Sequence, residues 1–158
     1  MADGVQFSLT GLESLLAKLE TVQTETKRKG GRAALRKAAR LVEAAAKQGA
    51  QRLDDAKTGR AIADNVATRW NGKRFKQTGD LAFRIGVLKG AVLKEGGDPA
   101  SGAPTPHWRL LEFGTEKMPA QPFMRPALEQ NIGAATDTFA KEFEKALDRA
   151  IKRANAGG

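Results

Sequence analysis

Leu110-Leu111-Glu112-Phe113-Gly114-Thr115-Glu116-Lys117-Met118-Pro119-Ala120-Gln121-Pro122-Phe123-Met124-Arg125-Pro126-Ala127-Leu128 is the stretch whose reading decides the fold. It joins an apolar run to a glycine, a polar turn and three prolines, then opens a long helical pattern. Leu110, Leu111 and Phe113 read as a short buried strand, because a brief apolar run bounded by turn signals fits that element. Gly114 can take backbone angles closed to other residues, so the chain can turn there. Pro119 and Pro122 hold the next segment extended, since each fixes its own φ and restricts the residue before it. Pro126 suits the first turn of a helix. The expected element is a rigid strand–loop–helix corner built from Glu112, Phe113, Gly114, Thr115, Pro119, Pro122, Phe123, Arg125 and Pro126. Phe113 and Phe123 bracket the turn and are expected to fold onto one core. Glu112 caps the turn or pairs with Arg125; as an exposed pair the two contribute little. On this reading Phe123→Ala and Gly114→Val lower stability, whereas Glu112→Gln and Thr115→Ala barely change it.

Downstream, a helix is expected from Pro126 to about Arg153, with Ala127, Leu128, Ile132, Ala135, Phe139, Phe143, Ala146, Leu147 and Ile151 along one face. Lys141 and Lys145, like Glu144 and Asp148, fall at the spacing of neighbours on a helix surface. Residues 155–158 read as a frayed tail. Upstream, residues 95–106 are rich in glycine and proline and read as a long mobile loop. Leu81, Phe83, Ile85 and Val87 alternate with other residues as a strand does, and Gly86 marks a bulge or a close backbone approach. Ala91-Val92-Leu93 reads as a possible further strand.

Residues 1–53 read as largely helical apart from Val5, Phe7 and Leu9, whose alternation reads as a short strand, and residues 54–80 stay open between helix and strand. Leu12, Leu15, Leu16 and Leu19 fall on one helical face. Gly30-Gly31 is expected to break the chain. From Arg32 to about Leu53, alanine and leucine recur with a helical period, and alanine favours the helix strongly. Arg32, Arg36 and Arg40 lie off that apolar face. They read either as a contact surface for DNA or an acidic partner, or as a solvated helix face. Ile62, Val66 and Trp70 fit a helix or a strand. Asn71-Gly72 signals a turn. Lys73, Arg74 and Lys76 surround Phe75, the composition either of a nucleic-acid contact loop or of a charged hairpin tip.

The chain has 158 residues, a length that suits one domain, 1–158, with a modest core. Aromatic residues make up only 6%, so that core is mostly aliphatic and alanine. With no cysteine and one histidine, His107, the chain cannot build a zinc cluster or a cysteine nucleophile. Gly96-Gly97 and Gly102 precede no Gly-Lys-Ser/Thr helix start, so no phosphate-binding loop is present. No enzyme, metal or other cofactor is expected. No apolar run approaches membrane-spanning length, so no membrane is expected among the partners. The net charge of +9 at pH 7 suits DNA, RNA, an anionic surface or an acidic protein ring.

The Glu112-Phe113-Gly114-Thr115, Met118-Pro119-Ala120-Gln121-Pro122-Phe123 and Arg125-Pro126-Ala127-Leu128 motifs together resemble the tail-component family of long-tailed bacteriophages and prophages. Thr78-Gly79-Asp80-Leu81 ahead of a strand, the Leu12 to Leu19 segment and the alanine-rich helix support the resemblance. It implies a structural neck or tail protein that joins the head to the tail or completes the tail, acting in a homo-oligomeric ring, commonly six-fold. It implies partners among the other neck and tail proteins (stopper or connector, tail terminator, tail tube) and transient passage of genomic DNA. It also implies a place in the virion after synthesis in the host bacterial cytoplasm. The expected fold is α+β: a small antiparallel sheet from residues 81–88, 109–113 and a neighbouring hairpin, packed against two long helices. A basic nucleic-acid-binding module, using Arg32, Arg36, Arg40 and the Arg69 to Lys76 segment, is the alternative.

Overall fold

The computed structural model describes residues 12–22, 24–53, 61–88, 105 and 107–157. Its elements in order are α1 (Leu12–Thr21), α2 (Thr24–Gln51), α3 (Ile62–Asn65), β1 (Val66–Trp70), α4 (Gly72–Thr78), β2 (Phe83–Val87), α5 (Trp108–Phe113) and α6 (Met124–Ala156). The class is α+β, with a two-stranded antiparallel sheet packed against the long helices α2 and α6. The strand read at Val5 to Leu9, the one at Ala91 to Leu93 and most of the 95–106 loop lie outside the described residues. Thr105 is described: it is buried, and its hydroxyl accepts a hydrogen bond from the buried Asn65 amide at 2.9 Å. Among the described residues, no helix is long and apolar enough to cross a membrane.

Helix α2 does not break at Gly30-Gly31 but runs straight through it. The glycines serve packing instead. A Cβ at Gly30 would lie 3.0 Å from the Ala146 Cβ, and one at Gly31 would lie 2.8 Å from Leu81 Cδ1. Toward the other end, a Cβ at Gly49 would lie 3.1 Å from the Phe123 Cβ. These contacts show that α2 and α6 run antiparallel, with Phe143 over the start of α2 and Phe123 over its end. Ala34, Ala38, Val42, Ala46 and Ala50 form the buried stripe of α2, spaced at roughly one helical turn. Small residues on both sides bring the helix backbones close, where many weak dispersion contacts add up.

The core divides into two clusters. Val42, Ala46, Ala50, Ile62, Val66, Phe123 and Ala127 fill the end near the corner. Leu15, Val22, Ala34, Phe143 and Leu147 fill the other end, where α1 lies on α6. Lys18 of α1 sits between Glu144 and Asp148, at 2.8 and 2.9 Å. The two like charges on α6 are therefore bridged by a cation from another helix.

The sheet differs from the sequence reading in its membership. Residues 109–113, expected as a strand, form helix α5, and β2 pairs instead with β1 in the register Val66↔Val87 to Trp70↔Phe83. A short apolar run is ambiguous between the two states. The deciding detail is which residues face inward: Trp108, Leu111 and Glu112 do so while Leu110 and Phe113 stay exposed, a helical spacing. Asn71-Gly72, expected as a turn, begins α4. The Asn71 side chain accepts the Arg74 N–H at 3.2 Å, as a helix cap does. Gly79, with φ of 78°, closes that helix in the left-handed region.

Replacing Gly30 with leucine would drive a side chain into Ala146. We expect overpacking to cost about 1–3 kcal/mol and the melting temperature to fall by several degrees. Ala44→Leu, on the exposed face of the same helix, should leave the thermal melt unchanged.

Candidate functional site

The corner is held by one carboxylate. Helix α6 begins after Phe123, and no side chain there caps its free N–H groups. Glu112, at the end of α5, supplies the missing acceptor. Its Oε2 accepts the N–H of Phe123 at 2.8 Å and of Met124 at 3.0 Å, and its Oε1 accepts the N–H of Arg125 at 3.1 Å. The Arg125 side chain completes the set: Nε donates to Oε1 at 3.3 Å and Nη2 to the Glu112 carbonyl at 2.8 Å. Glu112 is thus cap and ion-pair partner at once. It is also 2% exposed, which corrects the expectation of an exposed pair that contributes little.

Burial pushes the Glu112 carboxyl up, but the N–H bonds from Met124, Phe123 and Arg125 and the Arg125 guanidinium outweigh it. The net shift is below the ordinary 4.5. The positive end of the helix dipole acts in the same direction.

Gly114 ends α5 with φ of 74°, and a Cβ there would lie 2.8 Å from the Ala120 nitrogen and 3.0 Å from the Met118 carbonyl. Both obstacles are backbone, so only glycine fits. Thr115 and Met118 then pair across a tight turn, and the Gln121 N–H donates to the Leu111 carbonyl at 2.7 Å. Pro119 and Pro122 lie outside helix and strand, between the Thr115–Met118 bridge and α6, and Pro126 lies in the first turn of α6. Phe123 is buried and meets Trp108 edge-on. Phe113 does not share that core: it is 67% exposed, with the Arg125 guanidinium over one face of its ring.

The basic residues form a second constellation. Arg28, Arg32 and Arg36 are one turn apart on α2, and each covers an aromatic ring. Arg28 lies over Phe75 at 5.6 Å, Arg32 over Trp70 at 4.2 Å and Arg36 over Phe83 at 5.7 Å. Trp70 in turn meets Phe75 and Phe83. This row clamps the hairpin and α4 onto α2. Sequence reasoning found Arg32 and Arg36 but missed that β1, α4 and β2 supply the rings. Arg40 continues the stripe beside Glu43 and Thr68. Lys73, Arg74 and Lys76 are exposed on α4, and Arg74 is tied to Asp80 at 3.1 Å. Phe75, the ring between them, is turned into the stack.

A cleft of about 650 Å³ between the end of α2 and the start of α6 is lined by Gln48, Arg52, Gln121, Gln130 and Asn131, among others. These amides and the arginine offer hydrogen bonds but no paired nucleophile and base. Among the described residues, no group of three His, Asp or Glu is placed to hold a metal ion. His107 precedes α5 and makes no capping bond through its side chain.

For the corner, Glu112→Gln should cost about 1.5–3 kcal/mol, the usual contribution of hydrogen bonds to a charged group. Phe123→Ala should cost about 3–5 kcal/mol. Gly114→Val should also be clearly destabilising, and Thr115→Ala, at an exposed position, nearly neutral. Chemical denaturation of the four variants checks the ranking; a Glu112→Gln value equal to that of Thr115→Ala would mean that the cap carries no weight.

A family model described as "Bacteriophage HK97-gp10, putative tail-component" matches residues 13–114. The match runs from α1 through α5 and contains the arginine row, the hairpin and Glu112 to Gly114. No curated protein and no solved structure matches the chain. The family match covers well over half the chain, and the chain belongs to the HK97-gp10-like family of phage tail components.

Proposed function

We propose that the chain is a structural, non-enzymatic subunit of the phage neck, completing the tail or joining it to the head at the head-proximal end. The observation that carries this reading is the family match, which makes the chain a tail component. On this reading the protein is made in the host bacterial cytoplasm and ends in the virion. It acts as a homo-oligomeric ring around the DNA channel, between connector and tail-tube proteins.

Two features support it. Leu110 and Phe113 on α5 and Leu128 on α6 are half or more exposed, and large apolar side chains left in water suit contact with another protein. The arginine row presents fixed positive charge to a passing duplex while its underside is held by the rings. The alternative, a free nucleic-acid-binding module, needs rings open to bases. Trp70 and Phe75 are engaged with arginines and with each other instead.

Removing the gene from its phage should leave filled heads and tails that do not join, or tails of aberrant length, under the electron microscope. Normal joined particles would refute the assignment. Phe113→Ala should leave thermal stability nearly unchanged yet impair joining. Changing Arg32, Arg36 and Arg40 together to glutamine removes two ring contacts worth about 0.5–1 kcal/mol each at exposed sites. The fold should survive and DNA delivery should fall; fully infectious particles would remove these arginines from the channel.

A further inference from the structure

The two faces of the β1–β2 hairpin are unlike. Val66, Thr68 and Trp70 pair with Val87, Ile85 and Phe83 on the face toward α2. On the other face Ala67 pairs with Gly86, and Arg69 lies directly opposite Arg84. Like charges facing each other across a sheet destabilise it. Among the described residues no carboxylate pairs with Arg69, Arg84 or the nearby Lys73. Arg74 by contrast has Asp80, and Arg28, Arg32 and Arg36 have their rings.

Gly86 adds an independent observation. A glycine within a strand weakens it and often marks the close approach of another backbone or a ligand. Here φ is not positive, and among the described residues a Cβ would meet nothing within 4 Å. Neither backbone conformation nor packing among the described residues requires a glycine. Its effect is to keep open a groove of about 340 Å³, with Ala67, Gly86 and Leu88 in its lining and Arg69, Arg84 and Lys73 around it.

We infer that this outer hairpin face is a docking groove for an acidic protein segment that sets an apolar side chain between carboxylates. An apolar floor inside a charged rim is the anatomy of a protein–protein contact. Nucleic-acid interfaces are polar and strongly cationic throughout, and phosphates gain nothing from an aliphatic floor. Guanidinium groups take carboxylates through paired hydrogen bonds, so two arginines across one rung suit an acidic chain. A second copy of this chain, with a net charge of +9, is the wrong sign overall. The inference stands on the hairpin alone and does not depend on a head-proximal place for the protein.

Fluorescence anisotropy with the full chain tests it. The probe is a labelled Glu-Glu-Leu-Glu-Glu peptide, compared with Glu-Glu-Ser-Glu-Glu and with a short DNA duplex. The leucine peptide should bind saturably and more tightly than the other two. Arg69→Ala with Arg84→Ala should weaken it by about tenfold or more, an easily read change in affinity. Gly86→Val should weaken it likewise without lowering the melting temperature, since its side chain enters the groove and not the core. Absence of peptide binding, tighter binding of the duplex, or unchanged binding by a folded Gly86→Val or by the double-arginine variant would overturn the proposal.

Discussion

A helix of 33 residues must begin somewhere, and in this chain the buried Glu112 carboxylate sets the place. The first N–H groups of any helix lack partners within it, and leaving them so in a buried setting is costly. Glu112 meets three of them from 11 to 13 residues upstream, so the end of α5 and the start of α6 are fixed together. That join places Phe123 against Gly49, and the antiparallel run of α6 then carries Phe143 to Gly30 and Gly31. The seating of α6 on α2 follows from where α6 starts. Without an accepting charge at the corner, the alanine and glycine stripe has few large side chains to resist a slip.

The arginine row applies the same logic to the sheet. A two-stranded hairpin is marginal by itself and needs a surface to lie on. Here the surface is α2, and guanidinium groups lying over rings add to the aliphatic packing of Ile85 and Val87 on the core. Charge is thereby built into the fold and remains at the surface.

The two long helices and strand β2 were legible because their periods are unambiguous. Ala38, Val42, Ala46 and Ala50 mark α2, Phe139, Phe143 and Leu147 mark α6, and Phe83, Ile85 and Val87 alternate along β2. Helix α5 was not. Leu110 to Phe113 offers too few residues to separate a strand from a helical turn, and the inward set of Trp108, Leu111 and Glu112 distinguishes them only in the fold. A charged residue is an improbable core member on sequence grounds, because its partners, backbone N–H groups, leave no trace in side-chain patterns. Gly30-Gly31 misled for a related reason: glycine breaks an isolated helix, but here close packing against Ala146 and Phe143 overrides propensity. Of the candidate site, the corner residues and basic positions were readable one by one. Their joining of α5 to α6, and the match of three arginines to three rings, depends on tertiary pairing that local patterns do not encode.

The central claim is that an ionised, buried Glu112 holds the corner, and its titration in the folded protein tests this most directly. A carboxyl whose folded-state pKa is lowered contributes stability that is fully present above its unfolded value. That contribution is lost as pH falls through the folded value. Carbon-detected NMR of the Glu112 carboxyl across the acid range should place its pKa below the ordinary 4.5, and the stability gap between the native chain and Glu112→Gln should close as pH falls through that point. A pKa at or above 4.5, with a gap that does not change with pH, would contradict the account.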